Sequence, residues 1–167
     1  MKVHTVRSSS EVADAAKLMR DLVDANKALY SDDLITIEEY YRGSWFFEKA
    51  PKVPLEYRPP TGDILVAYLD GEPAGTVAIH RMDDDYCELK YMFVAPHCRK
   101  KGVAAALCNA VIELAKTQKY RVVRLTTGVR QLAARRLYER LGFVMVMPWE
   151  NNPSEGYDYF ELNLIQD

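Results

Sequence analysis

A chain of 167 residues, 49% apolar and 28% charged, is long enough to bury one substantial core and is composed like an ordinary globular protein. No uncharged apolar run approaches the roughly 18 residues of a membrane span, and the N-terminal MKVHTVRSSSEVADAAK has no apolar signal core. The net charge of −2 hides an asymmetry: residues 97–140 hold 11 Lys/Arg against 2 acidic residues, and the remainder 11 against 22, so one part suits a polyanion and the other a cation.

Three cysteines without a CxxC predict a reduced, cytoplasmic protein. His4, His80 and His97 are scattered with no HExxH pattern, so no metal site is expected. No segment reads as a linker or repeat, and residues 1–167 are expected to form a single domain, as a monomer or a homodimer.

In chain order, Val3 to Arg7 alternates weakly and predicts a first strand. Ser8-Ser9-Ser10-Glu11 has the S-x-x-E form of a capping box. Val12, Ala15, Ala16, Met19, Leu22 and Val23 then recur at helical spacing, so residues 10–28 read as an amphipathic helix. A short second helix is expected from Ile35 to Arg42. The proline-rich stretch Ser44 to Thr61 reads as a loop, and its aromatics Trp45, Phe46, Phe47 and Tyr57 predict that it packs on the body of the protein.

Asp63 to Asp70 and Pro73 to His80 flank a tight turn and predict a β-hairpin. Asp83-Asp84-Asp85 marks another turn before the strand Tyr86 to Val94. Alternation puts Cys87, Leu89, Tyr91 and Phe93 on one face of that strand and Glu88, Lys90, Met92 and Val94 on the other. A helix from Val103 to Lys116, a strand from Arg121 to Thr127, a helix from Gln131 to Leu141 stopped by Gly142, and strands from Phe143 to Met147 and Tyr157 to Leu164 complete the chain. The order predicts an α/β protein on a mixed sheet, a class in which ligands bind where strands end and helices begin.

The stretch CRKKGVAAAL, residues 98–107, runs three cations and a glycine into a predicted helix. A helix N-terminus offers unpaired N–H groups and about half a positive charge, and Gly102 permits close approach of a bulky anion. Arg99, Lys100 and Lys101 add charge, while Ala104 and Ala105 keep the helix mouth open. The chemistry predicts phosphate or pyrophosphate. Neither a P-loop nor the G-x-G-x-x-G dinucleotide pattern is present.

FVAPHCRKKGVAAAL, followed some thirty residues later by QLAARRLYERLGF, resembles the GNAT superfamily of N-acetyltransferases. The first stretch is similar to that family's strand, bulge and R/Q-x-x-G-x-G/A loop, and the second to its A-x-x-L-Y-x-x-L-G-F signature. The order of elements from about residue 3 to 164 agrees. The resemblance implies a mostly antiparallel sheet splayed at the cofactor site and transfer of acetyl from acetyl-CoA to a primary amine of a small molecule or peptide. A non-catalytic acyl-CoA-binding module is the alternative. Ala104 stands where glycine is commoner, Gln131 stands where many members have asparagine, and Val129-Arg130 carries no signature of its own.

On the same resemblance, Arg99, Lys100, Lys101, Gly102, Val103, Ala104 and Ala105 would hold the pyrophosphate, with Gln131 as a further contact. Backbone groups of Met92, Phe93 and Val94 would bind the pantetheine arm and polarise the thioester carbonyl, where a fixed N–H stabilises developing negative charge. Tyr138 would protonate the departing thiolate; the competing reading is a core aromatic, since Ala134, Leu137, Tyr138 and Leu141 form one stripe. Glu88, on the strand entering the loop, is the candidate base for the ammonium acceptor, or else a structural partner of Lys90 or an arginine. Cys98 has no placeable histidine or aspartate partner, which disfavours an acyl-cysteine route. Arg135, Arg136 and Arg140 could meet a phosphate or form a solvated face. The basic half lacks a nucleic-acid recognition motif.

The acceptor is decided by the variable segments, Tyr30 to Thr61 and Met147 to Tyr157. The second is acidic and aromatic, and with the negative balance outside residues 97–140 it suggests a cationic amine. Cys87-Glu88-Leu89-Lys90, Asn152-Pro153 and Tyr159-Phe160-Glu161-Leu162 are also similar to a subgroup of small bacterial single-domain acetyltransferases, which names no acceptor.

Overall fold

Ser8 and Glu11 close the first helix reciprocally. The Ser8 hydroxyl accepts from the Glu11 N–H, and the Glu11 carboxylate accepts from the Ser8 N–H at 2.8 Å, so the predicted capping box sets where the helix begins. The computed structural model describes residues 1–151, 153 and 155–165. Asn152 of the Asn152-Pro153 pair therefore lies outside the described residues.

The elements run β1 (Lys2–Thr5), α1 (Ser9–Leu29), α2 (Leu34–Tyr40), β2 (Asp63–Leu69), β3 (Glu72–Arg81), β4 (Tyr86–Val94), α3 (Val103–Thr117), β5 (Val122–Gly128), α4 (Leu132–Arg140), β6 (Val144–Val146) and β7 (Tyr157–Asn163). The expected loop between α2 and β2 contains two 3₁₀ turns, Trp45–Phe47 and Leu55–Tyr57. It packs as its aromatics implied: Trp45, Phe46 and Tyr57 are buried, while Phe47 stays half exposed. Gly142, at φ +92°, ends α4. There Phe143 N–H bonds the Tyr138 carbonyl and Gly142 N–H bonds that of Glu139, a Schellman arrangement.

The strands form one seven-stranded sheet in the order β1-β2-β3-β4-β5-β7-β6, antiparallel except for the parallel β4–β5 pair. The mixed, mostly antiparallel α/β sheet is the expected one. The α3 helix packs on the Gly75 face of β3. A Cβ on Gly75 would come within 2.7 Å of the Phe93 carbonyl oxygen and 2.9 Å of the Leu107 side chain. Gly75→Ala is therefore expected to destabilise the fold by about 1–3 kcal/mol through overpacking, read as a lower midpoint in thermal unfolding. The opposite face is covered by α1 and the aromatic 3₁₀ turns, where Arg20 donates to the Phe46 carbonyl at 2.6 Å and Phe46 meets Tyr91 edge-on.

Two features of β4 position the site. The first overturns part of the predicted alternation. Ala78 pairs with Lys90 and Thr76 with Phe93, which leaves Tyr91 and Met92 opposite Val77 alone. This β-bulge, with Tyr91 at φ +55°, moves the period-2 pattern by one residue. Phe93 consequently shares a face with Lys90, and Val94, paired with Gly75, shares the face of Leu89. Tyr91 reaches Phe46 and Tyr57, on the side of His80 and Glu88, and does not join Cys87 and Leu89. The second feature is divergence. Pairing of β4 with β5 covers Tyr86, Cys87 and Glu88 only, and beyond it the strands part. Among the described residues no helix is long and apolar enough to cross a membrane.

Candidate active site

The basic loop forms as the sequence implied. Lys100 and Gly102 adopt positive φ of 60° and 81°, and Gly102 is the N-terminal cap of α3, with no side-chain cap on the helix. A Cβ on Gly102 would meet no protein atom within 4 Å. The glycine serves the left-handed turn and leaves the helix mouth open to solvent. Arg99, Lys100 and Lys101 are exposed around that mouth, and the Arg99 Nε tethers the loop to β4 by donating to the Val94 carbonyl at 3.3 Å. Val103 is buried against the sheet beside Gly75, so it can offer a ligand only its backbone N–H. An uncapped helix N-terminus ringed by three cations fits a pyrophosphate.

Where β4 and β5 part, a cleft opens. Glu88, Lys90, Tyr91 and Met92 line it from β4, Thr126 to Gly128 from β5, and Gln131 and Tyr138 from α4. On the outer side α1 and α2 contribute Asn26, Tyr30, Ile37, Tyr40 and Tyr41, and β7 contributes Tyr157. The structure thus brings Met92, Glu88, Gln131 and Tyr138 onto one cavity. The loop residues Arg99 to Ala105 lie beyond the end of β4, next to the Val94 end of the bulged segment. The edge of β4 from Leu89 to Val94 that faces β5 has no strand partner, so backbone groups of this segment remain available to a ligand.

Glu88 is mostly buried. Its Oε2 lies 2.8 Å from His80 Nε2 and 4.0 Å from Lys90 Nζ. Burial would raise its pKa, but the His80 hydrogen bond and the Lys90 and His80 charges outweigh that and hold the carboxyl below its ordinary value. The lysine pairing weighed from sequence is present, and a histidine joins it. The ammonium of Lys90 also sits 5.6 Å from the Tyr40 ring centre and 5.9 Å from that of Tyr91. Burial lowers the Lys90 pKa, yet the Glu88 charge and the surrounding tyrosines leave it raised, so Lys90 is a cation in the cleft.

Tyr138 stands between core and cleft. Its ring packs on Phe143 and Phe160 in the core, and the residue also lines the cleft. Burial, with the neighbouring Cys108, pushes its pKa well up, so the phenol keeps its proton across the neutral range. The same environment pushes the Cys108 thiol up to about 12. A thiolate formed nearby would likewise hold protons more strongly than in water, so a buried phenol can still donate to it. Gln131 is engaged in a chain: Thr127 donates to its Oε1 at 3.2 Å, its Nε2 donates to Asn26 at 2.8 Å, and Asn26 donates to Tyr41 at 3.0 Å. This chain ties α4 and β5 to α1 and α2 across the cleft. Cys98 is buried and free. Arg135 pairs with Glu139 and Asp158 and belongs to a solvated face. Among the described residues no cluster of His, Cys, Asp or Glu could hold a metal ion.

His80, Lys90 and the tyrosines of α1 and α2 were not singled out from sequence as site residues. A signal for His80 existed: counting outward from Asp84, the middle of the Asp83–Asp85 turn, pairs His80 with Glu88, as observed. Those tyrosines had none, because they lie far from α4 in the chain.

The sequence pattern of the acetyltransferase (GNAT) family matches residues 23–143, a span that includes β4, the basic loop and α4. The chain belongs to the GNAT acetyltransferase family. The family carries the reaction class, acetyl transfer from acetyl-CoA to an amine. One relative, an N-acetylaspartate synthetase of Danio rerio, is 46% identical over 89 residues, which is 52% of this chain and 32% of that protein. The chain spans about a third of the length of the N-acetylaspartate synthetases it matches. An uncharacterised N-acetyltransferase of Methanocaldococcus jannaschii is 29% identical over 154 residues, covering 86% of this chain and 62% of that one. Among solved structures, a GNAT acetyltransferase of Staphylococcus aureus superposes with a TM-score of 0.71 at 18% identity, over 98% of this chain and 99% of the other. That similarity supports the GNAT fold.

Proposed function

We propose that residues 1–167 act as one cytoplasmic N-acetyltransferase domain that acetylates the amine of a small acceptor also bearing a carboxylate, by direct attack in a ternary complex. The observation that carries this reading is the cleft at the β4–β5 divergence, which gathers a carboxylate, a cation and a protonated phenol next to the basic loop. Acetyl-CoA, when bound, supplies an acyl carbon activated as a thioester. Arg99 to Ala105 would hold its pyrophosphate, and the open edge from Met92 to Val94 its pantetheine arm.

Glu88, held as a carboxylate, takes the proton from the acceptor ammonium and frees the attacking lone pair. Tyr138 holds a proton at its hydroxyl for the departing thiolate. Lys90 offers the acceptor a counter-charge. The charge balance along the chain favours a cationic acceptor, but the cleft supports the opposite sign. Its charged lining is one carboxylate, taken up as the base for the reacting amine, and one lysine. Of the acidic residues near β7, Glu150 accepts from Tyr159 and Asp158 pairs with Arg135. Relatives named N-acetylaspartate synthetase point the same way. The three cysteines are free and buried, in keeping with a reducing compartment.

The test is thiol release from acetyl-CoA with L-aspartate, L-glutamate, spermidine and a lysine-rich peptide. The dicarboxylic amines are expected to give the highest kcat/KM. Lys90→Met is expected to raise their KM about tenfold or more, the worth of one hydrogen bond to a charged group. Preference for spermidine would return the acceptor to the cationic class. Acetyl-CoA binding without turnover of any amine would favour the non-catalytic module.

A further inference from the structure

His80 lies outside the cleft and behind Glu88. Glu88 lines the cavity while His80 does not, and the two are direct register partners on β3 and β4. The imidazole is held on three sides. Its Nδ1 lies 3.1 Å from the Arg81 carbonyl oxygen, its Nε2 lies 2.8 Å from Glu88 Oε2, and the Tyr57 ring meets it edge-on with centroids 5.5 Å apart. Both polar neighbours are acceptors, so either ring nitrogen that carries a proton has a partner to donate to. Lys90 also approaches Oε2, at 4.0 Å. Both contacts therefore fall on one carboxylate oxygen, and Oε1 is left without a partner among the described residues.

We propose that His80 is the positioning residue of the acetyl-transfer site: it clamps Glu88 Oε2 from behind, so that Oε1 is presented to the acceptor ammonium as an ionised proton acceptor. The inference rests on the reading of Glu88 as the base. It accounts for a carboxylate that stays charged although most of its surface is out of water, a state that is costly without paired charge. The other charged and titratable groups around the pair are accounted for. Lys90 and Tyr91 come from β4, and Tyr57 from the second 3₁₀ turn. On β3, Arg81 is engaged with Asp84. Arg124, the β5 register partner of Glu88, donates to Glu161 and lies over the Tyr86 ring. His80 is thus the group bonded directly to the carboxylate, with the Lys90 ammonium next to it.

Two measurements decide the proposal. The first is the pH dependence of kcat/KM with L-aspartate for wild type, His80→Gln and His80→Leu. Glu88 must be ionised to act, and its pKa is held down by His80, so activity present above that pKa is lost as pH falls through it. Removing His80 leaves burial to push the carboxyl up. The acid limb of the profile is expected to move to higher pH by about one unit or more in His80→Leu. On the acid side of the displaced limb the rate should fall about tenfold for each unit of displacement, recovering as pH rises. His80→Gln keeps a neutral donor and should show a smaller displacement. A uniform rate loss with an unmoved limb, or a profile unchanged in both variants, would overturn the proposal.

The second measurement needs no turnover: ¹³C NMR titration of the Glu88 carboxyl, assigned by its disappearance in Glu88→Gln. Its midpoint is expected to rise in His80→Leu, and an unchanged midpoint would refute the clamp. If wild type turns over no amine, the proposed function fails, and the carboxyl titration still decides what His80 does.

Discussion

Replacing Tyr138 by phenylalanine is expected to lower kcat about a hundredfold, the low end of what a positioned acid contributes, while acetyl-CoA affinity and the thermal midpoint change little. The ring contacts with Phe143 and Phe160 survive the substitution, so the core role of the residue is preserved and only its proton is removed. The hydroxyl makes no hydrogen bond to a described residue, so its loss strands no partner. Burial keeps the phenol protonated, so the wild-type rate should show no loss from Tyr138 ionisation through the neutral range. Steady-state kinetics beside calorimetric titration with acetyl-CoA reads both halves. Unchanged kcat would reduce Tyr138 to a core aromatic. Lost kcat together with lost binding or stability would show that the hydroxyl is structural.

The second large effect belongs to the basic loop. Wild type at acetyl-CoA concentrations about a hundred times its Kd should be stabilised by about 2.7 kcal/mol, several degrees in midpoint for a chain of this size. ATP and NAD serve as controls. Gly102→Glu is expected to abolish the acetyl-CoA shift. It places a β-carbon on a left-handed backbone, at a cost of about 1–2 kcal/mol, and a carboxylate at the mouth of an anion site. Gly102→Ala carries the backbone term alone. It meets no protein atom, so it should retain part of the shift. Equal loss in both variants would mean that the turn matters and its charge does not. A shift with ATP or NAD in place of acetyl-CoA would reassign the anion.

Much of the scaffold could be read from local chemistry. Ser8 and Glu11 marked the start of α1, Gly142 the end of α4, and the turn around Gly71 the β2–β3 hairpin, because each depends on residues within a few positions of one another. The basic loop was legible for the same reason: a glycine between cations and small residues is a local statement about a helix N-terminus. Glu88 and Tyr138 were legible as candidates because they lie in short stretches with a recognisable pattern.

What stayed hidden was set by contacts between distant segments. The bulge at Tyr91 inserts one residue where β4 meets β3, and it reverses the faces of Phe93 and Val94. Period-2 reading assumes no such insertion, so it assigned those two residues, and Tyr91 itself, to the wrong sides. The tyrosine lid joins α1 and α2 to the ends of β4, β5 and β7, and Lys90 acquires its place beneath Tyr40 only when that lid is packed.

The sequence by itself determined the α/β class, the order of the elements, the basic helix mouth and the candidate acid and base. Caps, turns and hydrophobic periods act over a few residues, and that range is written along the chain. Tertiary structure alone decided the divergence of β4 from β5, the contact of His80 with Glu88 and the place of Lys90 in the cleft. Each of these depends on which strand register and which helix packing minimise the free energy of the whole core, a choice that no single segment makes.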